Sequence, residues 1–397
     1  MAKDKFPRHG RIKVQTKASA IWGLVFKGLG LILGVSVAVS GIAIAELSNS
    51  IKANGIVLAG STKITEADLA GPINMLLVGS DTRAGQGKGY GNDTSELADV
   101  IILLHVSADR KYATAMSFPR DLLVPWPACP STSTPPGPGY LPQSLGQINA
   151  TIANGGPGCT LLTVEKLTGL KIPYLAMIDF KGVIEMSNAI GGVDVCTTKP
   201  IKDQYTFLDL PAGNHTLKGK QALQFLRTRH GVGDGSDLSR ISNQQVFLTS
   251  LVRKVKSAGV LGNPIYLYSL ASAAARNMKL SESLTDIGVM VALAGALKDV
   301  ELDKMTFLQV PSRGGLPAPY SGRVAPIYET ANLIFEKLQK DEPIILAKAN
   351  GGQGAVVASP APSASASPSP SGSASPEASA LPESIVGTNA GTTTCSN

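Results

Sequence analysis

The chain has 397 residues, of which 43% are hydrophobic and only 16% are charged, and its formal net charge is +7. Residues 1–27 hold seven basic residues and one acid, so the remainder carries 36 − 7 = 29 basic and 29 − 1 = 28 acidic residues, a net charge of +1. A nearly neutral remainder argues against general nucleic-acid binding, which needs a basic face, and we expect no nucleic-acid partner.

An apolar run follows the basic N-terminal segment and extends over residues 28–45. At 1.5 Å per residue it spans roughly 27 Å, close to the hydrocarbon thickness of a bilayer. This predicts a cytoplasmic basic tail (1–27), one transmembrane helix (28–46) and a juxtamembrane linker (47–70). Because the positive flank stays in the cytoplasm, we expect a single-pass cell-membrane protein whose larger part is extracellular.

A cleaved signal peptide is the alternative interpretation of this run. The triplet Ala43-Ile44-Ala45 resembles a cleavage site, but the apolar stretch is longer than the 7 to 15 residues typical of a signal peptide. Both interpretations predict export of the globular part.

Residues 71–345 alternate short β-type runs with amphipathic patterns, which predicts one α/β domain. Strands are expected at 73–78, 100–106, 112–116 and 174–178. Helices are expected at 160–168, 181–189, 218–227, 240–257, 281–297 and 326–339. The first two strands contain runs that are apolar throughout, as in central strands covered on both faces. The predicted fold is a three-layer α/β/α sandwich with a central mixed β-sheet.

Two stretches depart from this pattern. Residues 125–146 are rich in proline and predict a loop insertion between a strand and the next helix. Residues 346–397 turn into Ser, Ala, Pro and Gly, which predicts a flexible C-terminal tail.

The four cysteines all follow the apolar run, where thiols tend to be oxidised. Three pairings are possible. Because Cys129 and Cys159 flank the proline-rich insertion, we predict the disulfides Cys129–Cys159 and Cys196–Cys395. Free thiols are the alternative, and a zinc site is disfavoured because no CxxC or Cys-x-His spacing is present.

Arginine and aspartate gather in five short clusters at the ends of apolar runs. The clusters are Gly-Ser-Asp81-Thr-Arg83, Ala-Asp99-Val, Pro-Arg120-Asp121, Arg227-Thr-Arg229-His230 and Asp237-Leu-Ser-Arg240. Guanidinium groups suit phosphate oxygens, whereas carboxylates approach phosphate through a bridging divalent cation. The clusters therefore predict a pyrophosphate ligand carrying Mg²⁺, with Mn²⁺ as a substitute.

Asp81 and Asp99 are the candidate metal ligands. Asp81 follows the first predicted strand and Asp99 precedes the second, so the two meet only if these strands are antiparallel. Two carboxylates then hold one Mg²⁺ while substrate oxygens and water complete its octahedron. The alternative is that Asp81 starts a turn and Asp99 caps a strand.

The arginines have an ordinary explanation as well as a functional one. Arg227 and Arg229 end a predicted helix, where cations complement the helix dipole. Arg240 begins the next helix, where a positive charge opposes the dipole unless an anion binds there. Asp237 caps that helix or orients an arginine, and scattered salt bridges are the alternative for the whole set. His230 is either a base or a surface residue.

Together these segments resemble the LytR-CpsA-Psr family of cell-wall glycopolymer ligases over residues 73–253. The matching segments, in the family's order, are Leu-Leu-Val-Gly-Ser-Asp81-Thr-Arg83, Ala-Asp99-Val-Ile-Ile-Leu, Ser-Phe-Pro-Arg120-Asp121, Ile148-Asn149-Ala, Gly191-Gly192-Val193-Asp194, Gly219-Lys-Gln-Ala-Leu, Arg227-Thr-Arg229-His230 and Asp237-Leu-Ser-Arg240-Ile-Ser-Asn243-Gln244. Each segment is weak alone, but eight in order behind one N-terminal anchor are specific.

The resemblance implies transfer of a glycopolymer from a polyprenyl-pyrophosphate carrier to a hydroxyl of peptidoglycan or a surface glycoprotein. It also implies an apolar tunnel for the lipid and a role for each matching residue. The metal ligands would be Asp81 and Asp99, and the pyrophosphate ligands would be Arg83, Arg120, Arg227, Arg229, Arg240 and Gln244. Catalytic roles would fall to Arg120, Arg227, Arg229 and Arg240, with Asp121 and Asp237 as supporting residues or the base.

Two other functions use the same residues. A polyprenyl-pyrophosphate hydrolase would employ water as the acceptor, and a non-enzymatic cell-envelope regulator would only bind wall polymer.

This chain departs from the family pattern at two positions. Leu97 stands where the family often has arginine two residues before the second aspartate, and Asn243 stands where it often has arginine before Gln244. Each change removes a cation near the phosphates. We therefore expect a site that relies more on Mg²⁺ or accepts a different glycan.

Overall fold

A computed structural model of the protein describes residues 41–43, 45–56, 58, 69–81, 96–131, 137–256, 264–358 and 380–397. The chain divides into two units, Met1–Asn49 and Ser50–Asn397. Residues 41–43 and 45–53 are helical, whereas most of the predicted membrane span lies outside the described residues. Within the described ranges, no helix combines the length and the apolar character needed to cross a membrane.

The larger unit contains strands and helices throughout. Its strands are β1 Gly55–Ile56, β2 Ile73–Ser80, β3 Ala98–Val106, β4 Ala113–Phe118, β5 Leu123–Trp126, β6 Gln143–Gln147, β7 Tyr174–Ile178, β8 Val193–Thr197, β9 Ile201–Asp203, β10 Leu208–Leu210, β11 Gly213–Leu217, β12 Met278–Ser281, β13 Met305–Gln309, β14 Ser312–Arg313, β15 Ala325–Pro326, β16 Ala355–Val357, β17 Gly387–Asn389 and β18 Thr394–Ser396. Its helices are α1 Thr151–Thr168, α2 Phe180–Ala189, α3 Lys220–Arg227, α4 Asp237–Lys256, α5 Pro264–Asn277, α6 Ile287–Asp299 and α7 Tyr328–Gln339.

An eight-stranded mixed sheet forms the centre of this unit, in the order β1-β12-β7-β2-β3-β4-β13-β17. Strand β2 runs antiparallel to β3 and parallel to β7, and β13 runs parallel to β4. The predicted mixed sheet is confirmed. The four predicted strands correspond to β2, β3, β4 and β7, and all six predicted helices overlap observed ones.

Alternate residues of the central strands face opposite sides of the sheet. Leu76 and Val78 of β2 belong to a core cluster that also contains residues of α1 and α7. Leu77, between them, faces a cavity lined by residues of α2, α3 and α4. Because successive side chains of a strand point to opposite faces, both faces are covered by helices. This explains why residues 75–78 of β2 are all apolar, without the alternation of a half-exposed strand.

The proline-rich insertion contains a β-hairpin rather than only a loop. Strands β5 and β6 pair antiparallel within it. The predicted disulfide between Cys129 and Cys159 is confirmed, with a Cα–Cα distance of 5.3 Å, and it fastens the insertion to α1.

The prediction of a flexible tail over 346–397 is wrong for residues 380–397. Strand β17 completes the edge of the central sheet beside β13, and β18 joins a second sheet in the order β11-β8-β18-β16. The predicted Cys196–Cys395 disulfide is confirmed, with a Cα–Cα distance of 4.7 Å. The composition of the tail led to the wrong prediction because a few apolar residues dispersed among the polar ones are buried in the fold. They are Leu381, Ile385 and Ala390.

The predicted linker also contributes to the fold. Strand β1 pairs in parallel with β12 at the opposite edge of the central sheet. A two-residue strand is too short to give a period-2 pattern in the sequence, so the prediction could not detect it.

A buried histidine joins the sheet to the end of α7. The ring nitrogens of His105 lie 2.8 Å from Asn74 Oδ1 and 3.0 Å from Asp341 Oδ1. The backbone N–H of Ala108 donates to the other oxygen of Asp341 at 3.0 Å. Burial lowers the pKa of His105, and the attraction of the Asp341 carboxylate offsets only part of that effect. The folded protein therefore favours the neutral imidazole.

We expect the free energy of unfolding to fall as the pH decreases below about 6.5, because the imidazole of the unfolded chain then binds a proton that the folded one resists. His105→Gln cannot bind this proton, so its stability should decline less steeply, by up to ~1.4 kcal/mol per pH unit. Urea unfolding of both proteins at pH 7.5 and 5.5 measures the difference. Equal slopes would show that His105 does not titrate on unfolding.

Candidate functional site

The two aspartates predicted as metal ligands lie at one end of adjacent antiparallel strands, as the prediction required. The carboxylate of Asp81, directly after β2, accepts a hydrogen bond from the backbone N–H of Leu97 at 2.8 Å. The backbone N–H of Asp81 donates to the carbonyl of Leu97 at 3.0 Å. Asp81 thus closes the base of the segment that connects β2 to β3. Arg83 lies outside the described residues.

Asp99 of β3 is paired with arginine. Arg120, which follows β4, places its Nη1 2.6 Å from Asp99 Oδ1. Its Nε lies 3.6 Å from carboxylate oxygens of both Asp121 and Asp237. Burial lowers the pKa of Arg120, but the three surrounding carboxylates, Asp99 first, outweigh it and raise the pKa overall. Arg120 is therefore a permanent cation shared by three acids.

Helix α4 contributes a second, more deeply buried ion pair. Arg240 Nη2 lies 2.6 Å from Asp237 Oδ1 within the first turn of the helix. Its guanidinium also reaches β3, with Nη2 3.2 Å from the carbonyl oxygen of Asp99. Burial lowers the pKa of Arg240, the carboxylates of Asp237 and Asp99 offset part of that effect, and the positive charges of Arg120 and Arg229 lower the pKa further. Arg240 thus lies within electrostatic range of two other arginines.

Arg227, at the end of α3, and Arg229, just beyond it, make different contacts. The guanidinium of Arg227 stacks on the ring of Phe180 at 4.3 Å from its centroid. Arg229 is fixed through its backbone N–H, which donates to the Asp203 carboxylate at 3.1 Å. Gln244 donates its side-chain N–H to the carbonyl of Leu226 at 3.0 Å. The C-terminal end of α3 is therefore attached to α4, and the guanidinium of Arg227 is oriented by its contact with Phe180.

Several buried donors at this site have no hydrogen-bond partner within the described part of the chain. They are the Nε–H groups of Arg120, Arg229 and Arg240. Both carboxylate oxygens of Asp237 likewise lack a hydrogen bond there, although Oδ1 forms ion pairs with Arg120 and Arg240. Unsatisfied buried donors are costly, and their concentration on three convergent arginines points to an anion as the missing partner.

Asp121 is held more completely than Asp237. Its Oδ1 accepts a hydrogen bond from Gln147 at 2.8 Å and pairs with Arg323 at 3.0 Å. Neither partner was predicted from the sequence. Gln147 ends the hairpin of the insertion and Arg323 lies in the connection between β14 and β15, so neither is near the site in the sequence.

A cavity of about 410 Å³ extends from this cluster between the central sheet and helices α2 to α5. Its lining is predominantly apolar, with side chains such as Leu77, Ile178 and Phe247. Asp99, Arg227, Arg240 and Gln244 line it as well. The cavity thus combines an apolar interior with the charged residues of the cluster.

The two positions that depart from the family pattern have structural roles. Leu97 contributes its backbone to Asp81. Asn243 is fully buried, donates to the carbonyl of Phe225 at 2.7 Å and accepts from Ser396 Oγ at 2.5 Å. Asn243 therefore ties α3 and α4 to the C-terminal strand β18.

A preformed metal cage is not present among the residues that the structure describes, where no three His, Cys, Asp or Glu side chains converge. Magnesium, however, commonly takes one or two carboxylates and completes its shell with water and substrate phosphates. Asp81 and Asp99 fit that smaller donor set, although Asp99 Oδ1 already contacts Arg120.

Comparison with known proteins links these features to one family. The model of the LytR_cpsA_psr family matches residues 43–340. The cell wall biosynthesis protein LcpA of Corynebacterium glutamicum is 29% identical over 64% of this chain, but only 53% of that relative is covered. The chain therefore spans about half the length of this curated relative.

Two further similarities agree with this. TagT of Bacillus subtilis, named a polyisoprenyl-teichoic acid–peptidoglycan teichoic acid transferase, is 28% identical over 72% of this chain and 85% of that protein. The structure of a LytR-Csp2A-Psr enzyme from Actinomyces oris aligns with a TM-score of 0.53 and 23% identity over 72% of this chain and 94% of that one. The latter shows a common fold.

We expect Arg240→Ala to lower the free energy of unfolding by about 3 kcal/mol, because it leaves the buried Asp237 carboxylate without its closest cation. The matched control is Arg276→Ala, an exposed arginine of α5, which should change stability by less than about 0.5 kcal/mol. Urea unfolding at neutral pH provides both values.

A double variant tests the cause. Adding Asp237→Ala to Arg240→Ala should recover part of the lost stability, since no uncompensated carboxylate remains. Additive losses in the double variant would contradict the ion-pair explanation.

Proposed function

Since the chain belongs to the LytR-CpsA-Psr family, we propose that it is a membrane-anchored, Mg²⁺-dependent transferase. It moves a glycopolymer from a polyprenyl-pyrophosphate carrier to a hydroxyl group of peptidoglycan. The observation that carries the proposal is the continuity between an apolar cavity and the charged site, since Arg227, Arg240 and Asp99 line that cavity. The transferase name of the similar TagT protein supports the same chemistry.

The donor substrate matches the cavity in its two chemical parts. A polyprenyl chain is entirely apolar and would gain from leaving water for the lining between the sheet and α2 to α5. The pyrophosphate is strongly anionic and would meet Arg227 and Arg240 at the charged part of the same lining. Arg120 and Arg229 offer buried Nε–H donors beside it. A ligand that carried only one of these parts would leave the other surface uncovered.

The reaction needs charge stabilisation more than a covalent intermediate. The oxygen of the acceptor hydroxyl forms a bond to the phosphorus that carries the glycan, and the bond from that phosphorus to the bridging oxygen breaks. Polyprenyl phosphate leaves with the bonding electrons. The fixed guanidiniums stabilise the negative charge on the phosphoryl and bridging oxygens, which is the kind of preorganised electrostatic contribution that accelerates such transfers.

Asp237 is the best placed acceptor for the hydroxyl proton. Its Oδ1 contacts Arg120 and Arg240, and neither of its oxygens accepts a hydrogen bond from the described residues. Asp121, the other candidate, already accepts from Gln147 and pairs with Arg323. We therefore assign Asp121 to holding Arg120 and Asp237 to proton transfer.

Asp81 and Asp99 would hold the Mg²⁺ ion at the ends of β2 and β3. When bound there, the ion supplies additional neutralisation of the phosphate charge. The loss of two arginines relative to the family pattern, at Leu97 and Asn243, makes this contribution more important in this chain.

The membrane anchor and the extracellular position remain part of the proposal. The apolar run of residues 28–45 behind a basic segment supports both. Anchoring would keep the site close to a carrier that itself resides in the membrane, which raises the effective concentration of the donor.

We expect Arg229→Ala to reduce glycan transfer by roughly ten- to a hundredfold while the fold survives, because it removes one charge-assisted contact worth about 1.5 to 3 kcal/mol. Arg276→Ala serves as the matched control and should transfer normally. The assay follows the joining of labelled donor glycan to peptidoglycan together with the release of polyprenyl phosphate. Normal transfer by Arg229→Ala would contradict the proposal, and release of free glycan alone would identify a hydrolase.

Chelation should lower transfer at least about tenfold, since the phosphate charge then lacks a cation held by the two aspartates. Added Mg²⁺ or Mn²⁺ should restore it, and Asp81→Asn should require more Mg²⁺ for half-maximal activity. Full transfer in EDTA would remove the metal from the mechanism without affecting the role of the arginines.

A further inference from the structure

Three aromatic side chains near Arg229 are exposed to solvent. Tyr205 is 67% exposed and Phe207 is 80% exposed in the turn that joins β9 to β10. The exposed ring of His230, the residue after Arg229, lies 4.4 Å from the ring of Tyr205, tilted by 39°. We call Tyr205, Phe207 and His230 the aromatic ledge.

Folding stability does not explain these positions. Phe207 has a φ of 58°, in the left-handed region that side chains other than glycine rarely adopt. The turn thus holds a large apolar ring in water and in an unfavourable backbone conformation. Exposed, strained residues of this kind occur at binding sites.

A buried carboxylate fixes the ledge to the loop that carries Arg229. Asp203 is only 1% exposed, and its Oδ1 accepts from the backbone N–H of Tyr205 at 2.9 Å. Its Oδ2 accepts from the backbone N–H groups of Arg229 at 3.1 Å and His230 at 3.2 Å. One side chain therefore sets the position of the ledge relative to an arginine of the proposed pyrophosphate site.

Three further contacts make this attachment rigid. The hydroxyls of Thr206 and Thr228 lie 2.9 Å apart, and Gln224 donates to the carbonyl of Phe207 at 3.2 Å. Gly231, with a φ of 94°, lets the loop approach the backbone of Lys202, where a Cβ would lie 2.7 Å from the carbonyl oxygen. Both segments of the ledge are thus held on one support.

We propose that the aromatic ledge binds the sugar rings of the acceptor glycan strand. Sugar rings present flat faces of C–H groups that pack on aromatic rings, while their hydroxyls remain solvated. The inference rests on the proposed function, because an acceptor-binding surface has a role only beside a site of glycan transfer.

The acceptor needs such a surface more than the donor does. The donor can draw affinity from its lipid in the cavity and from its pyrophosphate on the arginines. The acceptor has neither part, so its affinity must come from contacts outside the cavity. The residues that line that cavity do not include any of the three residues of the aromatic ledge.

The charge around the ledge favours a sugar over a membrane surface. Lys202 and Asp209, which flank it on β9 and β10, form an ion pair at 3.4 Å and neutralise each other. A surface that inserts aromatic residues into a membrane typically combines them with unpaired lysines and arginines.

Calorimetry on the full-length chain with a soluble peptidoglycan tetrasaccharide tests the ledge without turnover. Phe207→Ala and Tyr205→Ala should each weaken binding roughly five- to tenfold, since each removes an apolar face that the sugar covers. Phe207→Tyr and Tyr205→Phe retain the ring and should bind within about twofold of the original chain. Tyr328→Ala, an exposed aromatic residue on α7, is the matched control and should bind normally. Thermal denaturation of each variant verifies that it folds.

Unchanged binding in both ledge alanine variants, or no binding by the original chain, would overturn the inference. In the transfer assay the alanine variants should raise the KM for the acceptor and leave the KM for the donor unchanged, and a rise in the donor KM alone would also overturn it. The two proposals fail separately. Ledge-dependent binding without any transfer would refute the transferase, whereas normal transfer with ledge-independent binding would refute the ledge.

Discussion

The pairing of Asp99 and Asp237 with Arg120 and Arg240 is the interaction on which the candidate site depends. Guanidinium groups repel one another, and this repulsion is strong where little water remains to screen it. The two aspartates lie between the arginines and make their close approach possible. The two aspartates do not occupy every donor of these arginines, because the buried Nε–H groups of Arg120 and Arg240 still have no hydrogen-bond acceptor among the described residues. The site is thus stable as a structure and still able to attract an anion.

The sequence predicted the parts of the molecule whose residues follow a simple pattern. The apolar runs of β2 and β3 identified the sheet centre because both faces are buried, and the clusters of arginine and aspartate identified the ends of these runs. Asp99, Arg120 and Arg240 were found because each follows or opens a regular element. Cys129 and Cys159 were paired correctly because they flank one insertion, and their bond is present.

Features that depend on contacts between distant short segments could not be predicted. The parallel pairing of β13 with β4 places Met305 beside Ala113, and the sequence does not reveal a pairing between segments so far apart in the chain. Arg323 reaches Asp121 from about two hundred residues away, and Asp203 acts through a turn whose conformation the sequence does not reveal. The composition of the last fifty residues suggested disorder, since a few buried apolar residues are hidden among serine, alanine and proline.

Asn243 shows how a departure from a family pattern can have a structural reason. Viewed in sequence alone, it is a lost cation. In the folded chain its amide joins the carbonyl of Phe225 to the hydroxyl of Ser396, a connection that an arginine could not make from the same buried position without displacing β18. The substitution therefore exchanges one charge for a contact with the C-terminal segment.

That segment also determines when the central sheet can be completed. Among the residues that the structure describes, β17 (Gly387–Asn389) is the strand that pairs with β13 at this edge of the sheet, so β13 presents unpaired backbone groups until residues 387–389 have been made. An open strand edge readily pairs with other chains. A nascent chain that stops before residue 387 would therefore be prone to aggregation, and a chaperone that shields this edge would act until β17 has formed.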